Sequence, residues 1–299
     1  MITPPPLQPG DKVGLVATAR KISLEELAEG ITLLEDWGLV PVIGKTIGLQ
    51  DNQYAGTDAQ RAQDFQEMLV DSSIKAIWCA RGGYGTVRII DQLDFYKFVK
   101  HPKWIVGYSD VTVLHSHLHK IGFQTIHGTM PVSLGDNSAF AKTSLKKSLF
   151  GEKPDFTYPT NHTFNKKGKA RGLLVGGNLS ILYSLCGSSS NLDTEGKILF
   201  IEDLDEYLYH IDRMIMNLKR NGMLDHLAGL VVGGMTKMHD NRIPFGKTAQ
   251  EIVIDAVQDC DFPIAFDFPA GHLDDNRALV LGAEVELTVG SQEASLNYL

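Results

Sequence analysis

Short apolar runs alternate with stretches of helical periodicity through the first half of the chain. The runs at 12–17, 39–43, 75–80 and 104–108 read as strands. Ser23-Leu-Glu-Glu26 forms a capping box, and Leu24, Leu27, Ala28, Ile31 and Leu34 then share one helical face. Helices are predicted at 58–70, at 86–94 after a Gly-rich turn, and at 110–120 directly after the fourth strand. Strands with little polar content, alternating with helices, predict a parallel sheet covered on both faces.

Residues 135–168 break that rhythm with Gly135-Asp-Asn-Ser138, Gly151-Glu-Lys-Pro154 and Lys166-Lys-Gly-Lys169. A boundary is expected at about 150–165, dividing a unit over 1–155 from one over 165–299. The second half predicts strands near 171–175, 197–202, 229–233 and 263–267, and helices near 178–186, 207–221 and 247–259. Two short runs, 278–281 and 285–289, read as closing strands.

The length of 299 residues suits two such units. Charge separates them: residues 1–150 carry 15 basic and 15 acidic side chains, residues 151–299 carry 13 and 21. The net charge of −8 argues against a nucleic-acid partner, because neutralising phosphates needs Lys and Arg. Three scattered cysteines, Cys79, Cys186 and Cys260, build no disulfide framework and fit a reducing compartment. The longest apolar run, 228–235, is far short of the about 20 residues a membrane span requires. No signal-peptide pattern opens the sequence, so a cytoplasmic protein is expected.

The sharpest chemical signal is Gly107-Tyr-Ser109-Asp110 between a strand and a helix. A tight strand-to-helix turn of this kind lifts a serine Oγ above the sheet edge, as in a nucleophile elbow. Val111 replaces the second glycine of Gly-x-Ser-x-Gly, so from this motif alone Ser109 reads first as a helix N-cap with Asp110 in the first turn. A serine needs a base and an orienting carboxylate. His272, in Pro269-Ala-Gly-His272, follows an apolar strand, where catalytic side chains tend to sit, although a plain surface histidine fits there too. Glu202 closes the strand Lys197-Ile-Leu-Phe-Ile201, with a solvated acidic turn as the alternative. Arg81-Gly-Gly-Tyr-Gly85 ends another strand, and its glycines let backbone amides approach an anion. A zinc site on His115 and His119 lacks the Glu of His-Glu-x-x-His, and Gly246-Lys-Thr248 lacks the upstream glycine of a phosphate loop. Cys79 precedes the Gly-rich turn and reads as a buried structural thiol.

These stretches resemble the LD-carboxypeptidase family of serine peptidases, to which the murein tetrapeptide carboxypeptidases belong. The resemblance rests on Leu7-Gln-Pro-Gly-Asp11, Ala80-Arg-Gly-Gly-Tyr-Gly85, Gly107-Tyr-Ser-Asp110, Gly176-Gly-Asn-Leu179, Ile201-Glu-Asp203, Ile211-Asp-Arg213 and Pro269-Ala-Gly-His272, in family order along almost the whole chain. It implies an N-terminal flavodoxin-like or amidotransferase-like α/β domain and a smaller C-terminal domain of swivelling β/β/α type. It implies Ser109 as nucleophile, Glu202 as charge-relay carboxylate and His272 as base, with the backbone amides of Asp110 and Gly83 as oxyanion hole. The reaction implied is release of the terminal D-Ala from a muropeptide tetrapeptide in cell-wall recycling, without metal or cofactor, by a homodimer. Arg81, Tyr84 and Arg213 are the expected substrate contacts, the two arginines because guanidinium binds a free carboxylate bidentately. Two alternatives accompany this expectation. One is the microcin-immunity branch, which cleaves aminoacyl-nucleotide-like amides and is disfavoured by the compact stretch between Glu202 and His272. The other is a muropeptide-binding module without turnover. A glutamine amidotransferase is disfavoured because the elbow carries serine rather than cysteine.

Overall fold

The computed structural model describes residues 1–154 and 156–299. Its first half runs β1 (Lys12–Val16), α1 (Ala28–Asp36), β2 (Val40–Ile43), α2 (Asp58–Val70), β3 (Ile74–Cys79), α3 (Tyr96–Lys100), β4 (Trp104–Gly107), α4 (Thr112–Lys120), β5 (Thr125–His127) and α5 (Ala139–Leu149). Its second half runs β6 (Phe156–Pro159), β7 (Gly168–Asn178), α6 (Leu179–Leu185), β8 (Ile198–Leu204), α7 (Leu208–Arg220), β9 (Gly229–Thr236), α8 (Ala249–Val257), β10 (Ile264–Ala265), β11 (Leu279–Leu281), β12 (Glu284–Val289) and β13 (Glu293–Tyr298).

The first sheet has the order β11-β5-β4-β3-β1-β2, parallel except for β11. In an open sheet with strand order 2-1-3-4-5, the crevice for a ligand opens beyond the carboxyl ends of the strands, where the winding reverses. The loops after β1, β3 and β4 meet there. The capping box at Ser23 forms as expected: the Ser23 amide donates to Glu26 at 2.8 Å and the Glu26 amide to Ser23 Oγ at 3.3 Å.

The expected helix over 86–94 is instead two separate 3-10 turns, Thr86–Arg88 and Ile90–Gln92. The Thr86 amide is drawn to the Asp110 carboxylate at 2.8 Å, a tertiary bond that local periodicity does not reveal. The polar stretch 135–168 holds helix α5, capped by Ser138 Oγ accepting from the Ala141 amide at 3.0 Å. Its buried face mixes Ala141, Leu145 and Leu149 with Ser144 and Ser148, which hid it from a hydrophobic pattern. Asp155, where the first unit was expected to end, lies outside the described residues.

The second sheet has the order β10-β9-β8-β7-β12-β13-β6, parallel from β10 to β7 and antiparallel beyond. Side chains of β8 alternate between two cores, as strand geometry requires. Leu199 and Ile201 pack with α6, α7 and α8, whereas Ile198 and Phe200 face Leu279 and Leu281. Strand β11 therefore belongs to the first sheet by hydrogen bonding and to the second sheet's core by packing. It follows the His272 loop in sequence and ties that loop to the sheet that carries Ser109. The mixed α/β architecture with two sheets is the fold class expected from the sequence.

Candidate active site

All four residues of β4 are buried, and the chain turns sharply where the strand ends. Ser109 sits at φ +62°, a left-handed conformation costly for a residue with a Cβ. A 3-10 turn, Ser109–Val111, leads straight into α4. His115, one turn along that helix, props the elbow from below: Nε2–H donates to the Gly107 carbonyl at 2.9 Å, and Nδ1 accepts from Thr125 Oγ1 at 2.8 Å. Burial pushes its pKa down to about 4, so the ring is neutral and both nitrogens are engaged within the protein.

The Gly-rich loop after β3 lies against the elbow. A Cβ on Gly82 would stand 3.0 Å from Ser109 Cβ and 3.1 Å from its Oγ. Gly83, the expected oxyanion donor, has φ +111° and packs against the Arg20 side chain. The loop is held from behind by buried groups. Arg61 donates to the carbonyls of Thr18 and Gly85, and Asp110 accepts from Thr86. Asp110 is almost fully buried, which raises its pKa against the lowering effect of the Thr86 bonds. Arg81 reaches Glu26 at 3.1 Å, and Tyr84, 48% exposed, tilts toward Tyr54 with ring centroids 6.4 Å apart. Gly82→Ala is expected to lower turnover at least about tenfold with little change in melting temperature, since it crowds Ser109 without demanding a left-handed backbone. Unchanged kinetics would show that this approach is irrelevant to the serine.

Glu202 lies on β8 and is fully buried. The register between β8 and β9 slips between Ile201 and Asp203, so Gly233 and Gly234 of β9 together oppose Glu202. Such a bulge re-aims side chains. The two glycines admit the next loop: a Cβ on Gly233 would lie 2.5 Å from the Ala270 carbonyl, and the Gly234 amide donates to that same carbonyl at 3.0 Å. Gly271 follows at φ +102°, where a Cβ would meet Glu202 at 2.6 Å.

His272 then donates through Nδ1–H to Glu202 Oε2 at 2.6 Å and through its backbone amide to the same oxygen at 3.1 Å. Its ring packs on Tyr108, the residue before Ser109, with centroids 4.8 Å apart. Burial depresses the His272 pKa, but the Glu202 charge and hydrogen bond, with Asp203 nearby, outweigh it, and the net shift is upward. Downstream, the His272 loop is fastened to the first half: the Ser138 amide donates to the Asp274 carbonyl at 2.8 Å, and the Ala278 amide donates to Ser144 Oγ at 2.8 Å.

Ser109, Glu202, His272 and the Gly-rich loop thus converge from four separate segments. Arg213 does not join them. It stacks over Tyr209, 5.2 Å from the ring, in a surface depression it lines with Tyr183, Asn217 and Arg220. Sequence reasoning gave no individual role to Arg61, Thr112, Asn178 and Asp203, although the last two fall within segments that carry the family resemblance. Arg61 left a signal, a charged residue on the same helical face as Phe65 and Met68. The other three are ordinary polar residues whose partners lie far away in sequence. Among the described residues no helix is long and apolar enough to cross a membrane.

Residues 13–128 match the LD-carboxypeptidase N-terminal domain, and residues 171–287 match the LD-carboxypeptidase C-terminal domain. A relative from Bacillus subtilis, named a probable murein peptide carboxypeptidase, is 37% identical over 298 residues, 97% of this chain and 93% of its own. The microcin C7 self-immunity protein MccF of Escherichia coli is 26% identical over 330 residues, 97% of this chain and 94% of its own. The crystal structure of muramoyltetrapeptide carboxypeptidase from Oxalobacter formigenes superposes with a TM-score of 0.87 at 25% identity, covering 96% of this chain and 98% of its own. With both halves matched in order and one relative similar over nearly its full length, the chain belongs to the LD-carboxypeptidase family.

Proposed function

We propose that this protein is a serine LD-carboxypeptidase that releases the terminal D-Ala from murein tetrapeptides, using Ser109, Glu202 and His272. The observation that carries the reading is the 2.6 Å bond from His272 Nδ1 to buried Glu202, made directly beside the strained elbow at Ser109. With Nδ1–H committed to Glu202, Nε2 is the free base. It takes the Ser109 proton as Oγ attacks the carbonyl of the diamino acid joined to D-Ala. Negative charge develops on that carbonyl oxygen, and the amides of Asp110 and Gly83 are assigned to receive it. The imidazolium returns its proton to the departing amine of D-Ala. Water then attacks the acyl-enzyme under the same base, and Ser109 is restored.

Several further roles belong to this proposal. Arg81 and Tyr84, at the mouth of the Gly-rich loop, are assigned to the substrate and Arg81 to its free carboxylate. Binding there would require Arg81 to exchange Glu26 for the substrate. Arg213, stacked on Tyr209 at the surface, reaches the substrate only if a second subunit brings it there, consistent with the homodimer that the family resemblance implies. The units over 1–155 and 165–299, a cytoplasmic location and independence from metals complete the reading.

The test is D-Ala release from a purified muropeptide tetrapeptide, followed by mass spectrometry. Release by the wild-type protein is the expected result. Cleavage of an aminoacyl sulfamoyl-adenosine in its place would move the protein to the immunity branch. Binding of the tetrapeptide without any product would mark a binding module.

A further inference from the structure

Gly176-Gly-Asn-Leu179 and Ile201-Glu-Asp203 are separate segments of the sequence, and apart from Glu202 none of their residues has a part in the chemistry described above. In the fold they are one unit. Strands β7 and β8 run parallel with Asn178 directly opposite Glu202. Asn178 is 4% exposed and spends each of its polar groups on a different partner. Its Oδ1 accepts the Ile181 amide at 3.2 Å and so caps α6. That bond fixes the orientation of the side-chain amide. Nδ2 then donates to Glu202 Oε1 at 3.3 Å and to Asp203 Oδ1 at 3.0 Å. The backbone amide of Asn178 donates to Thr112 Oγ1 at 3.0 Å. Thr112 opens α4, three residues after Ser109. Gly177 makes the approach possible, because a Cβ there would lie 2.5 Å from Thr112 Oγ1.

One residue therefore touches both the helix that carries the nucleophile and the carboxylate that orients the base. Glu202 Oε2 is occupied by His272, and Oε1 is held by Asn178. Asp203 cannot drift either: its Oδ2 accepts from the amide and hydroxyl of Ser180, at 2.9 and 2.7 Å, and its Oδ1 also accepts from the Leu204 amide at 2.9 Å. In a buried setting such a chain of bonds behaves as a unit. The geometric demand is steep, since displacement of a reacting group by about 1 Å can cost about 100-fold in rate.

We propose that Asn178 is a positioning residue that holds Glu202, and through it His272, in register with the Ser109 helix by bridging Thr112 to the Glu202–Asp203 pair. The inference rests on the assignment of Ser109, Glu202 and His272 above, and adds what keeps residues from two halves of the chain aligned. Asn178 itself touches no reacting atom. The ionisable groups around the device are Glu202 and Asp203 from β8, Glu206, which accepts from Ser180 Oγ at 3.3 Å, Tyr108 from the elbow, His115 from α4, His127 from β5, and His272.

The decisive variants are Asn178→Ser, Thr112→Val and Thr112→Ser. Serine at 178 keeps a helix N-cap but is too short to bridge. Three quantities are measured: steady-state D-Ala release from muropeptide tetrapeptide, melting temperature, and the low-field proton resonance of His272 Nδ1–H. For Asn178→Ser the expectation is a fall in kcat of about 10- to 100-fold with KM within about threefold and folding retained. The His272 resonance should move or broaden, which loss of a cap alone would not cause. Thr112→Val should lower kcat, and Thr112→Ser should recover most of that loss. An Asn178→Ser protein with kcat within about twofold of wild type and an unmoved resonance overturns the proposal, as does a change confined to KM. If Asn178→Ser does not fold, equal kcat in Thr112→Val and Thr112→Ser overturns it. Failure of the Ser109 assignment looks different: Ser109→Ala would then release D-Ala as wild type does, while the His272 resonance still reports whether Asn178 governs the Glu202 bond.

Discussion

Ser109→Ala is expected to lower kcat for D-Ala release by about 10⁴- to 10⁶-fold while leaving tetrapeptide binding intact, the loss typical of a nucleophile acting as one unit with its base. The backbone makes this variant unusually clean. Ser109 sits at φ +62°, and alanine also carries a Cβ, so the strain of the elbow is kept. Among the described residues, Ser109 Oγ makes no hydrogen bond that anchors neighbouring backbone. The melting temperature should therefore stay near that of wild type. Ser109→Gly should be equally inactive but more stable, by on the order of 1 kcal/mol, because glycine accepts a left-handed backbone without steric cost. Calorimetric binding of intact tetrapeptide to Ser109→Ala, together with a melting curve for both variants, checks the separation. Residual turnover above about 1% of wild type would remove Ser109 from the nucleophile's role.

Glu202→Gln should be nearly as damaging, with a fall in kcat of about 10³- to 10⁴-fold. The carboxylate accepts from His272 Nδ1 and the His272 backbone amide on one oxygen, and from Asn178 Nδ2 on the other. All three are donors. A glutamine amide has one acceptor atom and one donor atom, so either orientation sets its NH₂ against a donor. The buried site then holds a mismatched pair, a cost of roughly 1–3 kcal/mol in stability.

The pH dependence supplies a second readout. His272 titrates above its ordinary value because Glu202 and Asp203 together outweigh burial. The base must be neutral to accept the Ser109 proton, so the acid limb of kcat/KM in the wild type should lie above about pH 6.5. In Glu202→Gln, burial remains and the larger raising influence is gone, so the limb should move to lower pH. Stability runs the other way. A histidine whose pKa is raised on folding contributes stabilisation that is complete below its unfolded value of about 6.5 and lost as pH rises through the folded value. Turnover should thus rise over the same interval in which this contribution fades. An acid limb at the same pH in wild type and Glu202→Gln would sink the assignment of Glu202 as the partner of His272.

The legible parts of this protein were those set by short-range periodicity. The buried runs at β1, β3, β4 and β8 announced themselves, as did the capping box at Ser23 and the helix at α2. The strand-to-helix step at Ser109 was visible because an apolar run ended one residue before the serine and a helical pattern began one residue after it. Helix α5 was not legible, since serines occupy part of its buried face and hydrogen-bond to backbone carbonyls one turn back, at 2.9 Å for both Ser144 and Ser148. The short turns at 86–92 were mistaken for a helix because Thr86 answers to Asp110, a residue 24 positions away.

For the site, motif order pointed to Ser109, Glu202 and His272, but spacing alone left each of them an ordinary alternative. Composition and periodicity determined that the chain is a pair of α/β units with apolar strands, because burial of one face or two imposes a repeat that any window of the sequence displays. The tertiary structure decided the rest. A slipped register at Glu202, glycines at 233 and 234 that admit the His272 loop, and the return of β11 to the first sheet are contacts between residues tens to more than a hundred positions apart. Such contacts leave no periodic trace, because the partner of a buried donor is chosen by the packing of whole sheets and not by its neighbours in the chain.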